Sequence, residues 1–121
     1  MKTEFRRSLD DTGNVIEEGH YADGLLHGLR TLWSATGEKI GESNYESGLL
    51  HGKSTLWNSA GTLILEANYC KDMLHGSYRS YWDSGCLKEE GRFRSGKRVG
   101  IYLWYSENGD VIQRHDYSAA C

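Results

Sequence analysis

The chain repeats itself every 24 residues, and that period limits its fold more than any other feature. Residues 22–45 read ADGLLHGLRTLWSATGEKIGESNY and residues 46–69 read ESGLLHGKSTLWNSAGTLILEANY. Residues 70–93 read CKDMLHGSYRSYWDSGCLKEEGRF, and residues 94–117 read RSGKRVGIYLWYSENGDVIQRHDY. The four blocks align without a gap. The opening 1–21 matches only the later part of a block, and 118–121 form a short tail. A period of this length marks an array in which each unit buries its apolar face mainly against its neighbours. We therefore read 1–121 as one repeat domain in which 1–21 is a partial cap. Terminal units are expected to be atypical: Leu9 stands where later blocks carry Trp or Tyr, and Arg98 and Val99 replace the Leu-His pair in the last block.

The recurring residue types specify strands and turns. Gly13, Gly37, Gly61, Gly85 and Gly109 mostly follow short polar residues, as in SATG, NSAG and SENG, a pattern that suits tight turns. A second column, Gly28, Gly52, Gly76 and Gly100, suggests close backbone approach or a strand start. Pro is absent, which suits strands whose amides are all in use. Segments such as KSTLW and TLILEANY have strand length. Each block is thus a β-hairpin, joined to the next by a connecting turn through GLLHG. The predicted fold class is all-β: a single-layer antiparallel sheet of roughly nine or ten strands, built from stacked 24-residue hairpins. Like columns then lie two strands apart, roughly 9–10 Å.

The pattern Y-x-x-G-x-x-x-G-x-x-x-x-[WY]-x-x-x-G-x-x-x-x-x-x-x-Y is carried most cleanly by Tyr45, Gly48, Gly52, Trp57, Gly61 and Tyr69. It resembles the MORN repeat, in the variant found in bacterial proteins classed as YwqK-family antitoxins. The similarity spans nearly the whole chain, with Asp72 in place of Gly, Phe93 in place of Tyr, and an extra Trp82 after Tyr81. The resemblance implies a hairpin stack and a non-enzymatic binding role, the neutralisation of a cognate protein toxin.

The residues themselves point away from catalysis. His27, His51 and His75 share one register, so their side chains run parallel, whereas zinc ligands must converge at about 2.0–2.1 Å from the metal. We expect them to be turn histidines that hydrogen-bond backbone; His20 and His115 are single residues near strand ends. No phosphate-binding glycine loop and no nucleophile with its own base stands out from the repeat. The expectation is no enzyme, no cofactor and no metal.

Partner surfaces are the remaining candidates. Glu18, Glu42, Glu66 and Glu90 form a column interrupted by Arg114, either a solvated strand face with cross-strand Lys or Arg or a dock for a basic protein surface. Trp33, Trp57, Tyr81 and Tyr105 form an aromatic column, which Tyr78, Tyr102 and Trp104 enlarge toward the C-terminal blocks. The partner-binding set is Trp33, Trp57, Tyr81, Trp104, Tyr105, Glu42, Glu66 and Glu90. Arg92, Arg94, Lys97 and Arg98, with Arg79 and Lys88 nearby, make that end more positive: an anion contact, or charge that discourages edge-to-edge aggregation. Face assignments reverse if a bulge intervenes, because strand side chains alternate. A net charge of −3 gives no general attraction to nucleic acid or anionic lipid. No run approaches a membrane span, no secretory leader is visible, and Cys70, Cys86 and Cys121 form no C-x-x-C pair, so a cytoplasmic chain with reduced thiols is expected. The alternative function is a scaffold that contacts phospholipid or associates with itself through sheet edges.

Overall fold

The computed structural model describes residues 2–119, so the tail thiol of Cys121 lies outside the described residues. Ten strands follow in order: β1 (Thr3–Leu9), β2 (Val15–Ala22), β3 (Leu25–Trp33), β4 (Lys39–Glu46), β5 (Leu49–Trp57), β6 (Leu63–Cys70), β7 (Met73–Tyr81), β8 (Leu87–Arg94), β9 (Lys97–Tyr105) and β10 (Val111–Asp116). All ten form one antiparallel sheet in which spatial order equals sequence order. A 3-10 turn, Tyr117–Ala119, follows β10.

Two kinds of turn alternate, each written in the local sequence. In the longer kind, Asn58 accepts from the Ala60 and Thr62 amides through Oδ1, both at 3.0 Å, and Gly61 takes a φ of +86°. The shorter kind has two residues with positive φ, as at Ser47 and Gly48 (50° and 85°), which matches the twist of the flanking strands. Where Asp72 replaces the Gly, φ is still 70°. Its compensation is visible: Asp72 Oδ1 accepts from the Leu50 amide at 2.7 Å, in addition to the amide-to-carbonyl bond that Gly48 and Gly96 also make at this position.

The connector is therefore shorter than the sequence suggests. The LLHG residues lie inside β3 and β5, and MLHG inside β7, so the second glycine column marks strand interiors rather than strand starts. At Gly76, φ is +112° and the chain bulges: Ala67 faces Tyr78 and Tyr69 faces Leu74, leaving Asn68 opposite three residues. Asn68 Nδ2 donates to the displaced Ser77 carbonyl at 3.1 Å. The two extra residues are an even number, so alternation survives the bulge and each column stays on one face.

One face, here the tyrosine face, carries Tyr21 opposite Leu26, Tyr45 opposite Leu50, Tyr69 opposite Leu74, and Phe93 opposite Arg98. Between them, residue sizes are matched across strands. Gly19 faces Arg30, Ala67 faces Tyr78, and Ser43 hydrogen-bonds its partner Ser54 at 2.7 Å. The packing is densest toward the C-terminus. Tyr78, Phe93, Tyr102 and Trp104 form a chain of ring contacts with centroids 5.4, 5.9 and 4.7 Å apart, and Tyr117 closes on Tyr102 at 6.3 Å. Such pairs add about 0.5–1.5 kcal/mol each beyond area burial. Tyr102 and Ala67 are both 0% exposed. The Tyr102 ring lies against Gly91, where an added Cβ would fall 2.0 Å from Tyr102 Cδ2.

Candidate partner-binding face

The opposite face is organised around one row of side chains, one from each strand. Arg7, Glu18, Thr31, Glu42, Thr55, Glu66, Arg79, Glu90, Leu103 and Arg114 stand directly opposite one another in succession. We call this the glutamate face. The expected Glu column exists, and the register places Thr31, Thr55, Arg79 and Leu103 between its members.

The carboxylates are not bare. Glu18 meets Arg7 at 2.6 Å, Glu42 is paired with Lys39, and Glu66 lies 3.4 Å from Lys53. Two tyrosines of the aromatic column also reach in: Tyr81 Oη donates to Glu66 Oε1 at 3.0 Å, and Tyr105 Oη donates to Glu90 Oε2 at 2.7 Å. Burial first, and then the bond to Glu66, raises the Tyr81 phenol above its usual value. For Tyr105 the bond to Glu90 is the larger cause. Lys39 spans the column, with Nζ on Glu42 and 5.6 Å from the Trp57 ring centroid. The Glu column is thus a charge-matched ladder through β6, cross-strand at Glu18 and Glu66 and within β4 at Glu42, rather than an exposed acidic stripe.

Trp33, Trp57, Tyr81 and Tyr105 share this face with Glu42, Glu66 and Glu90. Trp104 does not. It stacks on Tyr102 across the sheet, because strand neighbours alternate, and Tyr78 and Tyr102 join it in the core of the tyrosine face. The C-terminal aromatics therefore do not enlarge the Trp33–Tyr105 surface. The basic cluster divides in the same way. Arg92 faces Val99 and Arg94 faces Lys97 on the glutamate face, while Arg98 faces Phe93 on the other. There the Arg98 guanidinium lies 4.8 Å from the Tyr102 ring centroid, with Phe93 at 5.5 Å and Trp104 at 5.8 Å. Arg98 belongs to the aromatic core and does not stand with the other three.

The histidines sit in strands, a position the sequence reading missed, and two of them bond to backbone. His27 Nδ1 accepts from the Ser47 amide at 3.2 Å, and His75 Nδ1 accepts from the Ser95 amide at 3.1 Å. Each stitches its strand to the following two-residue turn. His51 departs from this: its Nε2 lies 3.5 Å from Glu46 Oε2. His20 packs against Phe5 and His115 against Tyr117. Among the described residues, no three His, Cys, Asp or Glu side chains group to hold a metal ion.

Arg79 and Arg114 were noted in the sequence without a site role. The signal was available, since the column Thr31, Thr55, Arg79 and Leu103 faces the Glu column once the hairpin register is applied.

Two segments match the family model of the MORN repeat variant, residues 74–95 and 98–119. Each corresponds to one hairpin, β7 with β8 and β9 with β10 plus the 3-10 turn. No curated protein matches the chain. MORN repeats are generally non-enzymatic and suggest a binding or scaffold module.

Proposed function

We propose that the chain is a cytoplasmic protein-binding module that docks its partner on the glutamate face, and that this partner is a toxin it neutralises by covering it. The observation that carries the binding reading is the aromatic column. Trp33, Trp57, Tyr81 and Tyr105 lie half-buried along one face of a single-layer sheet, with Trp57, Tyr81 and Tyr105 held in place by Lys39, Glu66 and Glu90 respectively. Fixed aromatics flanked by charged groups are the usual anchors of protein interfaces. Toxin neutralisation rests on the resemblance to YwqK-family antitoxins carried by Tyr45, Gly48, Gly52, Trp57, Gly61 and Tyr69. The free thiols of Cys70 and Cys86 fit a reducing compartment.

Purification of the tagged protein from its host tests both parts. A stoichiometric protein whose expression alone arrests growth, released by Trp57→Ala with Glu66→Gln, supports the reading. Recovery of lipid or of the chain alone contradicts it. The second reading, self-association through sheet edges, is favoured by exposed apolar residues on both edge strands: Phe5 (51%) on β1, and Val111 and Ile112 (54% and 66%) on β10.

A further inference from the structure

Cations are spread unevenly on the glutamate face, and the unevenness has a local cause. Arg79 stands directly between Glu66 and Glu90 in the cross-strand row, where ion pairs are expected. Both carboxylates are instead engaged by other partners. Glu66 takes the Tyr81 hydroxyl and Lys53, and Glu90 takes the Tyr105 hydroxyl. Among the described residues, no carboxylate comes within 4 Å of Arg79, Arg92, Arg94, Lys97 or Arg114. Arg114 stands where every earlier block has Glu. Asp116, opposite Ile101, has its Oδ1 occupied by the Ser118 amide at 2.9 Å and the Ser118 hydroxyl.

The geometry of these cations is that of a receptor for carboxylates. Arg79 and Arg92 are diagonal neighbours on β7 and β8, within reach of each other at about 7–8 Å. Together with Ser77, Glu90, Ile101 and Leu103 they line one shallow depression of about 230 Å³. Glu90 stands in the same depression with Oε2 taken by the Tyr105 hydroxyl, so one carboxylate faces two guanidiniums, and each guanidinium presents a planar fork that a further carboxylate fills with two hydrogen bonds. Ile101, at the centre, is 50% exposed. A partner offering only phosphates leaves that apolar surface uncovered. A protein segment that alternates acidic and apolar side chains covers both. The net charge of −3 reinforces this choice, because an extended anionic surface meets the whole protein, whereas a short segment meets only the patch.

We propose that Arg79, Arg92 and Arg114, around Ile101 and Leu103, form the docking surface for an acidic protein segment. This rests on the reading of the chain as a protein-binding module, and it reverses the sign of the partner that the Glu column suggests. The contact is built from charge-assisted bonds at the edges and apolar cover at the centre, so it weakens with salt without vanishing.

A labelled ten-residue peptide of alternating Glu and Leu, titrated by fluorescence anisotropy at low and physiological salt, tests the surface directly. The expected result is saturable binding that falls about tenfold or more in Arg92→Glu with Arg114→Glu, and is unchanged in Lys2→Glu, which alters net charge equally per substitution at the far end. Circular dichroism confirms that the exposed Arg92 and Arg114 positions accept the change. Absence of binding at low salt, equal binding by the reversed variant, or binding only to phosphatidylserine vesicles overturns the inference. A native partner that still binds the reversed variant overturns it too, while leaving the binding-module reading intact.

Discussion

The two halves of the sheet share one backbone lattice and use it differently. From β1 to β6 the glutamate face is balanced: Arg7 with Glu18, Lys39 with Glu42, Lys53 with Glu66. From β7 to β10 it carries Arg79, Arg92, Arg94, Lys97 and Arg114 against only Glu90 and Asp116, with no ion pair formed among the described residues, while the tyrosine face behind them holds the packed rings of Tyr78, Phe93, Tyr102, Trp104 and Tyr117. Residues 1–69 contain six Lys and Arg against ten Asp and Glu; residues 70–121 contain eight against seven. A single-layer sheet has no second layer to set its rigidity. Here the aromatic core stiffens the same hairpins that present the unbalanced charge. Order on one face underlies the recognition proposed for the other.

The largest test of that difference is steric. Gly91→Ala drives a Cβ into the Tyr102 ring and is expected to cost about 3 kcal/mol in urea unfolding. The corresponding Gly19→Ala, where Leu26 Cδ2 and Tyr21 Cε1 lie 3.1 and 3.2 Å from the added Cβ and need give by only a few tenths of an ångström, is expected to cost about 1 kcal/mol. Equal losses would remove the claim that packing is concentrated in the C-terminal half.

A second test uses pH. Burial pushes the Tyr102 phenol up to about 12. The unfolded chain ionises near its ordinary value of about 10, so between pH 10 and 12 the folded state holds the proton longer and stability falls as pH rises. Tyr102→Phe is expected to remove that contribution at high pH. At neutral pH it costs little, because Tyr102 Oη is buried without a hydrogen-bond partner. An alkaline profile identical in the variant would assign the loss to other groups.

Smaller effects sharpen the comparison within one column. His75→Ala removes the acceptor of the Ser95 amide and is expected to cost about 1 kcal/mol, whereas His51→Ala, which frees no turn amide, stays within about 0.5 kcal/mol. Lys39→Ala and Lys53→Ala, both exposed partners in the balanced half, are expected to cost about 0.5 kcal/mol or less each in thermal unfolding.

Most of the fold was legible because the 24-residue period repeats both turn chemistry and strand alternation. Gly61 and Asn58 announce their turn, and the hairpin count follows from the blocks. What escaped was where the connecting turn ends and the strand begins. The LLHG residues look like loop because their glycine needs positive φ, yet that glycine serves a bulge inside the strand. The site was legible by column and not by face. Trp104 beside Tyr105 and Arg98 beside Lys97 look like clusters in sequence, and the alternation of strand side chains separates them. The partners of Glu66 and Glu90 were hidden because they depend on a Tyr hydroxyl reaching diagonally to the neighbouring strand, 15 residues back.

The most direct test compares the faces. The co-purified partner is titrated against Trp57→Ala with Glu66→Gln on the glutamate face, and against Arg30→Ala on the tyrosine face. At least about a tenfold loss of affinity in the first and none in the second is predicted. Loss in the second with full binding in the first would place recognition on the tyrosine face and contradict the account.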